Sequence, residues 1–316
     1  MLIRETMEHM PASVSLKTFF KPRYWYAWPV LALMLVMSRM PGRVLWWIGG
    51  LLGALFVRLP FPNRRFAERN IGLCFPEKTP DERQQLLKDH FRMSGLAAVC
   101  LGLAWFGSQQ RLKKFVTVHG EQHLLAAAAA GKNVIALAPH FIGLDIGAAR
   151  MYSEQGNRYV SMYRKSRDPL LEYLFQRRSR FGAVVLERSA SLKTIIRLIR
   201  EGRVFYYLPD QDMGERNSVF APFFGIPAAT ITAVSRLAKM TDAAVIPCIT
   251  RLAPGGRGCE LHLYPPLEHF PTDDPEADAI RMNREIERWV REMPEQYMWT
   301  YRRFKTRPNN EPSLYA

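Results

Sequence analysis

The chain has 316 residues, which is enough for one large buried core or for a domain with an appendage. Its 44 Lys and Arg exceed its 29 Asp and Glu and leave a net charge of +15, which favours an anionic partner. The 7 Trp residues and the 48% hydrophobic content favour an acidic membrane surface over nucleic acid, and we predict no nucleic-acid partner. The four cysteines have neither metal-ligand spacing nor the pattern of a small secreted scaffold, so they indicate free thiols in a reduced compartment.

Two uncharged apolar stretches lie near the N-terminus, at residues 24–37 and 44–57, and arginines bound both. As a helix, each stretch is about 21 Å long, shorter than the ~30 Å hydrocarbon core of a bilayer. They predict a retained membrane anchor, either a tilted transmembrane helix or a hairpin lying in the interface, with buried core helices as the alternative. We assign residues 1–62 to a leader and this anchor, and residues 63–316 to a catalytic domain.

A capping box, Thr79-Pro80-Asp81-Glu82, predicts the start of a long helix. Beyond residue 115, short apolar runs alternate with segments of helical periodicity. Strands that alternate with helices at this spacing predict an α/β fold with a mostly parallel central sheet flanked by helices. The predicted strands are Phe115–Val118, Val134–Ala138, Tyr159–Tyr163, Ala183–Leu186, Val204–Leu208, Val245–Thr250 and Glu260–Tyr264. The predicted helices are Glu121–Ala130, one after Gly143, Pro169–Arg180, Ser191–Arg200, Thr230–Met240 and Asp278–Met293.

A histidine and an aspartate stand where the second of these strands gives way to a helix. His140 follows the apolar run 133–139, and Asp145 comes five residues later, in the predicted first helical turn. Ligands of open α/β sheets bind at the carboxyl ends of strands, and a neutral imidazole oriented by a carboxylate can accept a proton. The pattern predicts His140 as a general base oriented by Asp145. His269 and Asp274 repeat the spacing, but in a proline-broken loop that we predict to be plain surface.

Polar residues also follow three other predicted strands. Arg164 and Arg188 each come directly after a strand, and arginine binds phosphate through two parallel hydrogen bonds. Asp210 and Gln211 follow the strand at residues 204–208. We predict that these four residues share one site at the strand ends, with the arginines as anchors for the anionic groups of a substrate, although a surface charge is the alternative for any single arginine.

The sequence offers little support for a metal site. His119 and His123 are four residues apart, but Gly120 occupies the position where a zinc-protease motif needs glutamate. No acid cluster near residue 140 supplies further ligands. We therefore predict no metal and no cofactor, and we rank a metal-dependent hydrolase last among the possible functions.

Four short blocks follow one another along the chain: His-x4-Asp, Gly-x-x-Val-Leu-x-Arg, Leu-Pro-Asp-Gln and Val-Ile-Pro. Their order resembles the four blocks of glycerolipid-type acyltransferases. More narrowly, Pro209-Asp210-Gln211-Asp212 and the segments 223–230, 294–299 and 302–308 resemble the bacterial lipid A biosynthesis acyltransferase family. The resemblance covers nearly the whole chain. The broader superfamily has a glutamate in the third block where Asp210-Gln211 stand here, which fits the lipid A branch and counts against a plain glycerol-phosphate acceptor.

The resemblance implies an enzyme of the bacterial inner membrane with its active site at the cytoplasmic face. Members transfer a fatty acyl chain from acyl carrier protein to a hydroxyl on a primary acyl chain of a lipid A precursor. His140 then deprotonates that hydroxyl, oriented by Asp145, without a covalent acyl-enzyme. Arg188 matches the block assigned to substrate phosphate, and Arg164 and Asp210 match polar site positions. An acidic carrier protein, an anionic lipid acceptor and a membrane are also partners that suit a charge of +15.

Two further functions remain open on the sequence. The same chemistry can act on another acceptor, such as a lysophospholipid or a glycolipid, and assays with defined lipids distinguish these. A basic membrane-binding or nucleic-acid-binding protein without catalysis is the alternative from a different class, and its binding would survive replacement of His140.

Overall fold

The structure, a computed structural model, describes residues 14–59 and 63–315. The first part of the predicted leader, residues 1–13, lies outside these ranges. The predicted boundary between the anchor and the catalytic domain also falls at their edge, because residues 60–62 are not described.

Seven strands of the described chain form one sheet, in the order β1-β9-β8-β2-β5-β3-β4. All neighbouring pairs are parallel except β8 and β9, which are antiparallel. This confirms the mixed α/β fold with a mostly parallel sheet. The strands are β1 (Val116–His119), β2 (Asn133–Leu137), β3 (Tyr159–Tyr163), β4 (Val184–Glu187), β5 (Val204–Tyr207), β8 (Ala243–Leu252) and β9 (Cys259–Leu263).

Helices cover both faces of this sheet. Successive residues of a strand point to opposite faces, so Ile135 and Phe205 pack in one apolar cluster while Val134 and Tyr206 pack in the other. The helices are α1 (Ala27–Met37), α2 (Gly42–Arg58), α3 (Arg64–Cys74), α4 (Pro80–Phe106), α5 (Gln109–Phe115), α6 (Glu121–Ala129), α7 (Leu144–Gln155), α8 (Pro169–Gln176), α9 (Leu192–Arg200), α10 (Ala233–Thr241) and α11 (Pro275–Glu292). The capping box predicted at Thr79 is present and begins α4.

A two-stranded antiparallel hairpin was not predicted. It consists of β6 (Ser218–Phe223) and β7 (Ile226–Ile231). Pro222 and Pro227 face each other across the hairpin, and neither can donate a backbone hydrogen bond. Because proline is rare within strands, the sequence of this segment did not indicate β-structure. The two-residue turn, Phe224-Gly225, has positive φ at both positions, as tight hairpin turns of this length require.

The N-terminal apolar stretches form α1 and α2, and α2 packs closely against α4. A Cβ on Gly95 of α4 would lie 2.3 Å from the Gly49 carbonyl oxygen and 2.3 Å from the Gly53 nitrogen of α2, so glycine is what permits this approach. With 11 and 17 residues, α1 and α2 are about 16 and 26 Å long. Within the described ranges, no helix has both the length and the hydrophobicity to cross a membrane, and the predicted transmembrane helix is not supported there.

Candidate active site

The parallel strands β2, β3, β4 and β5 all end at the same edge of the sheet, and the predicted site residues follow these ends. His140 comes three residues after β2, Arg164 directly after β3 and Arg188 directly after β4. Asp210 comes three residues after β5, which is hydrogen-bonded to β2. The sheet therefore brings together residues from four separate parts of the chain, as expected for an α/β fold.

His140 is held by Asp210 rather than by Asp145. Its ring Nδ1 lies 2.6 Å from Asp210 Oδ1, and its backbone N–H donates to Asp210 Oδ2 at 2.8 Å. The hydroxyl of Tyr297 donates to the same Oδ2 at 3.0 Å. Three hydrogen bonds thus fix this carboxylate against the histidine, and a carboxylate at Nδ1 places the ring proton there and leaves Nε2 as the basic nitrogen.

Asp210 is buried, with only 2% of its surface exposed. Burial by itself raises the pKa of a carboxyl group, but the charge of His140 and the hydrogen bonds from its ring and backbone outweigh burial, so the pKa of Asp210 lies below its usual value. Burial, and then the Asp210 charge, raise the pKa of Tyr297 well above its usual value. At neutral pH the aspartate is therefore ionised, and the tyrosine keeps the proton that it donates.

The predicted pairing of His140 with Asp145 was wrong in this structure, because Asp145 is paired with Arg178. Arg178 Nε lies 2.7 Å from one Asp145 oxygen, and a terminal nitrogen lies 2.9 Å from the other. The planar fork of the guanidinium matches both carboxylate oxygens, which a single imidazole N–H cannot do. Asp145 still lines the same cavity as His140, so it lies in the candidate site, but its ion-pair partner is Arg178.

The C-terminal segment fastens the loop that carries His140. The backbone N–H of Met298 donates to the His140 carbonyl at 2.9 Å, and the Ile142 N–H donates to the Gln296 carbonyl at 2.9 Å. The ring of Tyr301 stands edge-on to the imidazole, with the centroids 5.2 Å apart. Segment 294–299 therefore supports the site from more than 150 residues away in sequence, which no local pattern around His140 could indicate.

A cavity of about 1430 Å³ opens beside His140. Its wall includes apolar and aromatic side chains such as Leu144, Tyr152, Phe175 and Tyr206, and its volume exceeds that of most small-molecule sites. Two of its cations are paired: Arg178 with Asp145, and Lys165 with Glu187. The others make no ion pair with any described carboxylate, and these five free arginines are Arg164, Arg167, Arg188, Arg216 and Arg236.

Comparison with known proteins fits this geometry. A family profile described as "Bacterial lipid A biosynthesis acyltransferase" matches residues 14–306 of the chain. The chain belongs to this acyltransferase family. Membership supports acyl transfer in lipid A biosynthesis as the class of reaction.

Three relatives from Escherichia coli (strain K12) illustrate the family. The chain is 34% identical over 296 residues to a lipid A biosynthesis lauroyltransferase, covering 93% of this chain and 96% of the relative. It is 34% identical to a lipid A biosynthesis palmitoleoyltransferase (95% and 97% covered) and 32% identical to a lipid A biosynthesis myristoyltransferase (95% and 93% covered). The names of these relatives give three different acyl groups, although their identities to this protein are nearly equal. Sequence identity alone therefore does not indicate which acyl group this protein transfers.

Several site residues of this family member escaped the sequence analysis. Arg178 was noticed only as part of a cluster of arginines, and Tyr297 only as part of the Pro294–Trp299 block. Arg216 and Arg236 carried no signal, because they lie in the hairpin region and in α10 rather than at strand ends. Gln211 and Tyr301 both line the cavity, and the role of Gln211 in substrate binding stays a prediction.

The described residues include one group that could share a metal ion, formed by His119, Glu260 and His262. None of the three lines the cavity. The cavity beside His140 has a histidine, two aspartates that are already paired, and five arginines without a carboxylate partner in the described chain, a combination that favours anions over metal ions.

Proposed function

We propose that this protein transfers a fatty acyl chain from acyl carrier protein to a hydroxyl on a primary acyl chain of a lipid A precursor. Family membership supports the reaction class and the acceptor class. The observation that carries the proposal is His140, held through Nδ1 by a buried, ionised Asp210, at the wall of a large cavity that contains five free arginines.

In the proposed reaction, His140 Nε2 removes the proton from the acceptor hydroxyl. The resulting alkoxide attacks the carbonyl carbon of the donor thioester, a C–O bond forms, and the C–S bond breaks. The departing thiolate takes the proton from His140, which restores the neutral imidazole. Asp210 keeps Nδ1 protonated throughout and stabilises the transient imidazolium charge, so no covalent acyl-enzyme is required.

The free arginines match an acceptor that bears phosphate groups. Arg164 and Arg188 follow the paired strands β3 and β4, whereas Arg216 and Arg236 come from the region after β5 and from α10. Arginines that lack carboxylate partners are available for bidentate contacts with phosphate. Cations from several elements can hold a headgroup with more than one anionic position, while the apolar wall accommodates acyl chains.

We propose that the protein acts at the cytoplasmic face of the inner membrane. The two N-terminal helices and the segment before them expose large apolar side chains, including Trp25 (59% exposed), Leu33 (56%), Trp47 (66%) and Leu51 (54%). Arg23, Arg39, Arg43 and Arg58 border the same stretches. Exposed tryptophans beside arginines suit the headgroup region of an anionic bilayer.

Steady-state acylation of a lipid A precursor by acyl carrier protein thioester, with purified variants, tests the mechanism. His140→Ala should lower kcat about 100- to 10,000-fold, because general base catalysis contributes that much. Asp210→Asn should lower kcat to a similar degree, because an amide can donate to Nδ1 and then favours the wrong tautomer. His269→Ala is the matched control and should retain nearly full activity.

Retention of wild-type kcat by His140→Ala would exclude this histidine as the base. Assays with lysophospholipid and glycolipid acceptors then separate the proposed acceptor from the alternative ones. Mass spectrometry of lipid A from cells that lack the gene adds an independent check, because the proposal expects the loss of one acyl chain, whose mass identifies the chain transferred.

A further inference from the structure

A second group of ligand-type side chains lies on strands β1 and β9, outside the acyl-transfer cavity. The two strands are parallel neighbours, and His119 of β1 is in register with His262 of β9. Glu260 stands two residues before His262, and residues two apart on a strand point to the same face of the sheet. The sheet therefore places two imidazoles and a carboxylate side by side, although they come from segments about 140 residues apart.

The three side chains already lie close together. Their ligand atoms are all within 4.8 Å of one another. His262 Nε2 lies 3.1 Å from a Glu260 carboxylate oxygen, and the two imidazole rings stack with centroids 4.6 Å apart and planes 17° apart. The Glu260 and His262 side chains are 41% and 31% exposed, so an ion can reach them from solvent.

Two histidines and one glutamate form a set that zinc accepts in three-ligand sites, with a fourth position left for water. At metal–ligand distances of about 2.0–2.2 Å, tetrahedral ligand atoms lie roughly 3.3–3.6 Å apart. The present separations of up to 4.8 Å are within about 1.5 Å of those distances, and all three side chains are at least partly exposed. Imidazole nitrogens with a carboxylate favour zinc and neighbouring transition metals over magnesium or calcium, which prefer all-oxygen ligand sets.

We propose that His119, Glu260 and His262 form a binding site for a divalent transition-metal ion of the zinc class. The site shares no residue with the acyl-transfer cavity, so this proposal does not depend on the proposed function. Because β1 is the edge strand of the sheet, an ion held by His119 and by two β9 residues fastens this edge to its neighbour. An ion that binds only the folded chain raises its unfolding temperature.

Equilibrium dialysis of the full-length, chelator-treated protein against Zn²⁺ measures this site directly. We expect one ion per wild-type chain and at least about tenfold weaker binding by His119→Ala and by His262→Ala. Glu260→Gln keeps the side-chain shape but loses the charge, and it should also weaken binding. The visible absorption of bound Co²⁺ reports tetrahedral coordination, and Zn²⁺ should raise the unfolding temperature of the wild type but not that of the two histidine variants.

His269→Ala and His140→Ala are the controls and should bind Zn²⁺ as the wild type does. Wild-type affinity in both the His119→Ala and His262→Ala variants would overturn the proposal. Loss of the ion in His140→Ala alone would also overturn it, because the ion would then belong to the acyl-transfer cavity. Circular dichroism of each variant tests whether the fold is intact, and we expect it to be, because the substituted side chains of the metal site are partly exposed.

Discussion

At the scale of single residues, the two aspartates of the site differ in their partners, and this difference can be measured. Asp145 and Arg178 form a two-point ion pair, so removing either charge leaves the other without its partner. In a double-mutant cycle with Asp145→Asn and Arg178→Gln, we expect a coupling of about 1–3 kcal/mol in the free energy of unfolding. The cycle of Asp145→Asn with His140→Ala should give less than about 0.5 kcal/mol.

Denaturant unfolding of the four proteins in each cycle gives both values. The opposite ranking, with strong coupling of Asp145 to His140 and none to Arg178, would restore the pairing that the sequence predicted.

A buried histidine should make stability depend on pH. His90 is 0% exposed, its Nδ1 lies 3.1 Å from the Glu295 carbonyl oxygen, and burial lowers its pKa to about 4. As the pH falls below about 6.5, His90 becomes protonated in the unfolded chain. In the folded protein it stays neutral until about pH 4. Stability should therefore fall across this window, by roughly 3 kcal/mol in total at 1.36 kcal/mol per pH unit.

Urea unfolding of the wild type and of His90→Gln between pH 7 and pH 4.5 isolates this contribution. The glutamine can still donate to the Glu295 carbonyl but does not titrate, so the wild type should lose stability more steeply than the variant on acidification. Equal slopes for the two proteins would show that His90 is protonated in the folded state as readily as in the unfolded chain.

At the scale of elements, the contact between α2 and α4 depends on glycines at their crossing. Gly95→Ala should destabilise the fold by about 1–3 kcal/mol or more, because its Cβ meets backbone atoms that can yield only if the helices separate. Gly50→Ala, on the other helix of the pair, α2, is the control, since nothing lies within 4 Å of its new Cβ. It should stabilise the protein by up to about 1 kcal/mol through helix propensity.

Thermal unfolding of the two variants separates the effects of close packing and of helix propensity. A Gly95→Ala protein as stable as Gly50→Ala would mean that α2 does not lie against α4 as the structure places it. The sequence analysis did not predict this contact, because it joins residues about 40 positions apart.

At the scale of the whole molecule, the exposed tryptophans of the N-terminal segment should govern attachment to lipid. Replacing Trp25 and Trp47 together by serine should weaken binding to vesicles of phosphatidylethanolamine and phosphatidylglycerol about tenfold or more, since burial of each large apolar side chain contributes roughly 1.5–3 kcal/mol. Leu125→Ser is the control, because Leu125 is equally exposed (59%) but lies on α6.

Cosedimentation of the full-length variants with vesicles measures this binding. An equal loss in Leu125→Ser would show that attachment is not localised to the N-terminal helices. Higher salt should weaken binding of wild type and variants alike, because the charge of +15 acts over the whole surface and is screened.

The sequence by itself determined the alternation of strands and helices, because strands and helices each give the apolar residues along the chain a characteristic period. It therefore placed β3 at its observed bounds, put β2 and β5 within a residue of theirs, and located His140, Arg164, Arg188 and Asp210 at strand ends. It missed β6 and β7, whose facing prolines remove the strand signal.

Only the tertiary structure decided which of these residues touch. His140 and Asp210 are 70 residues apart and meet because β5 pairs directly with β2, an order of strands that no local period encodes. Asp145, only five residues from His140, instead pairs with Arg178 across the start of α7. The same holds for His119 and His262, which the register of β1 with β9 brings together. Chain spacing sets which side chains reach an edge of the sheet, and strand order sets which partner each one finds there.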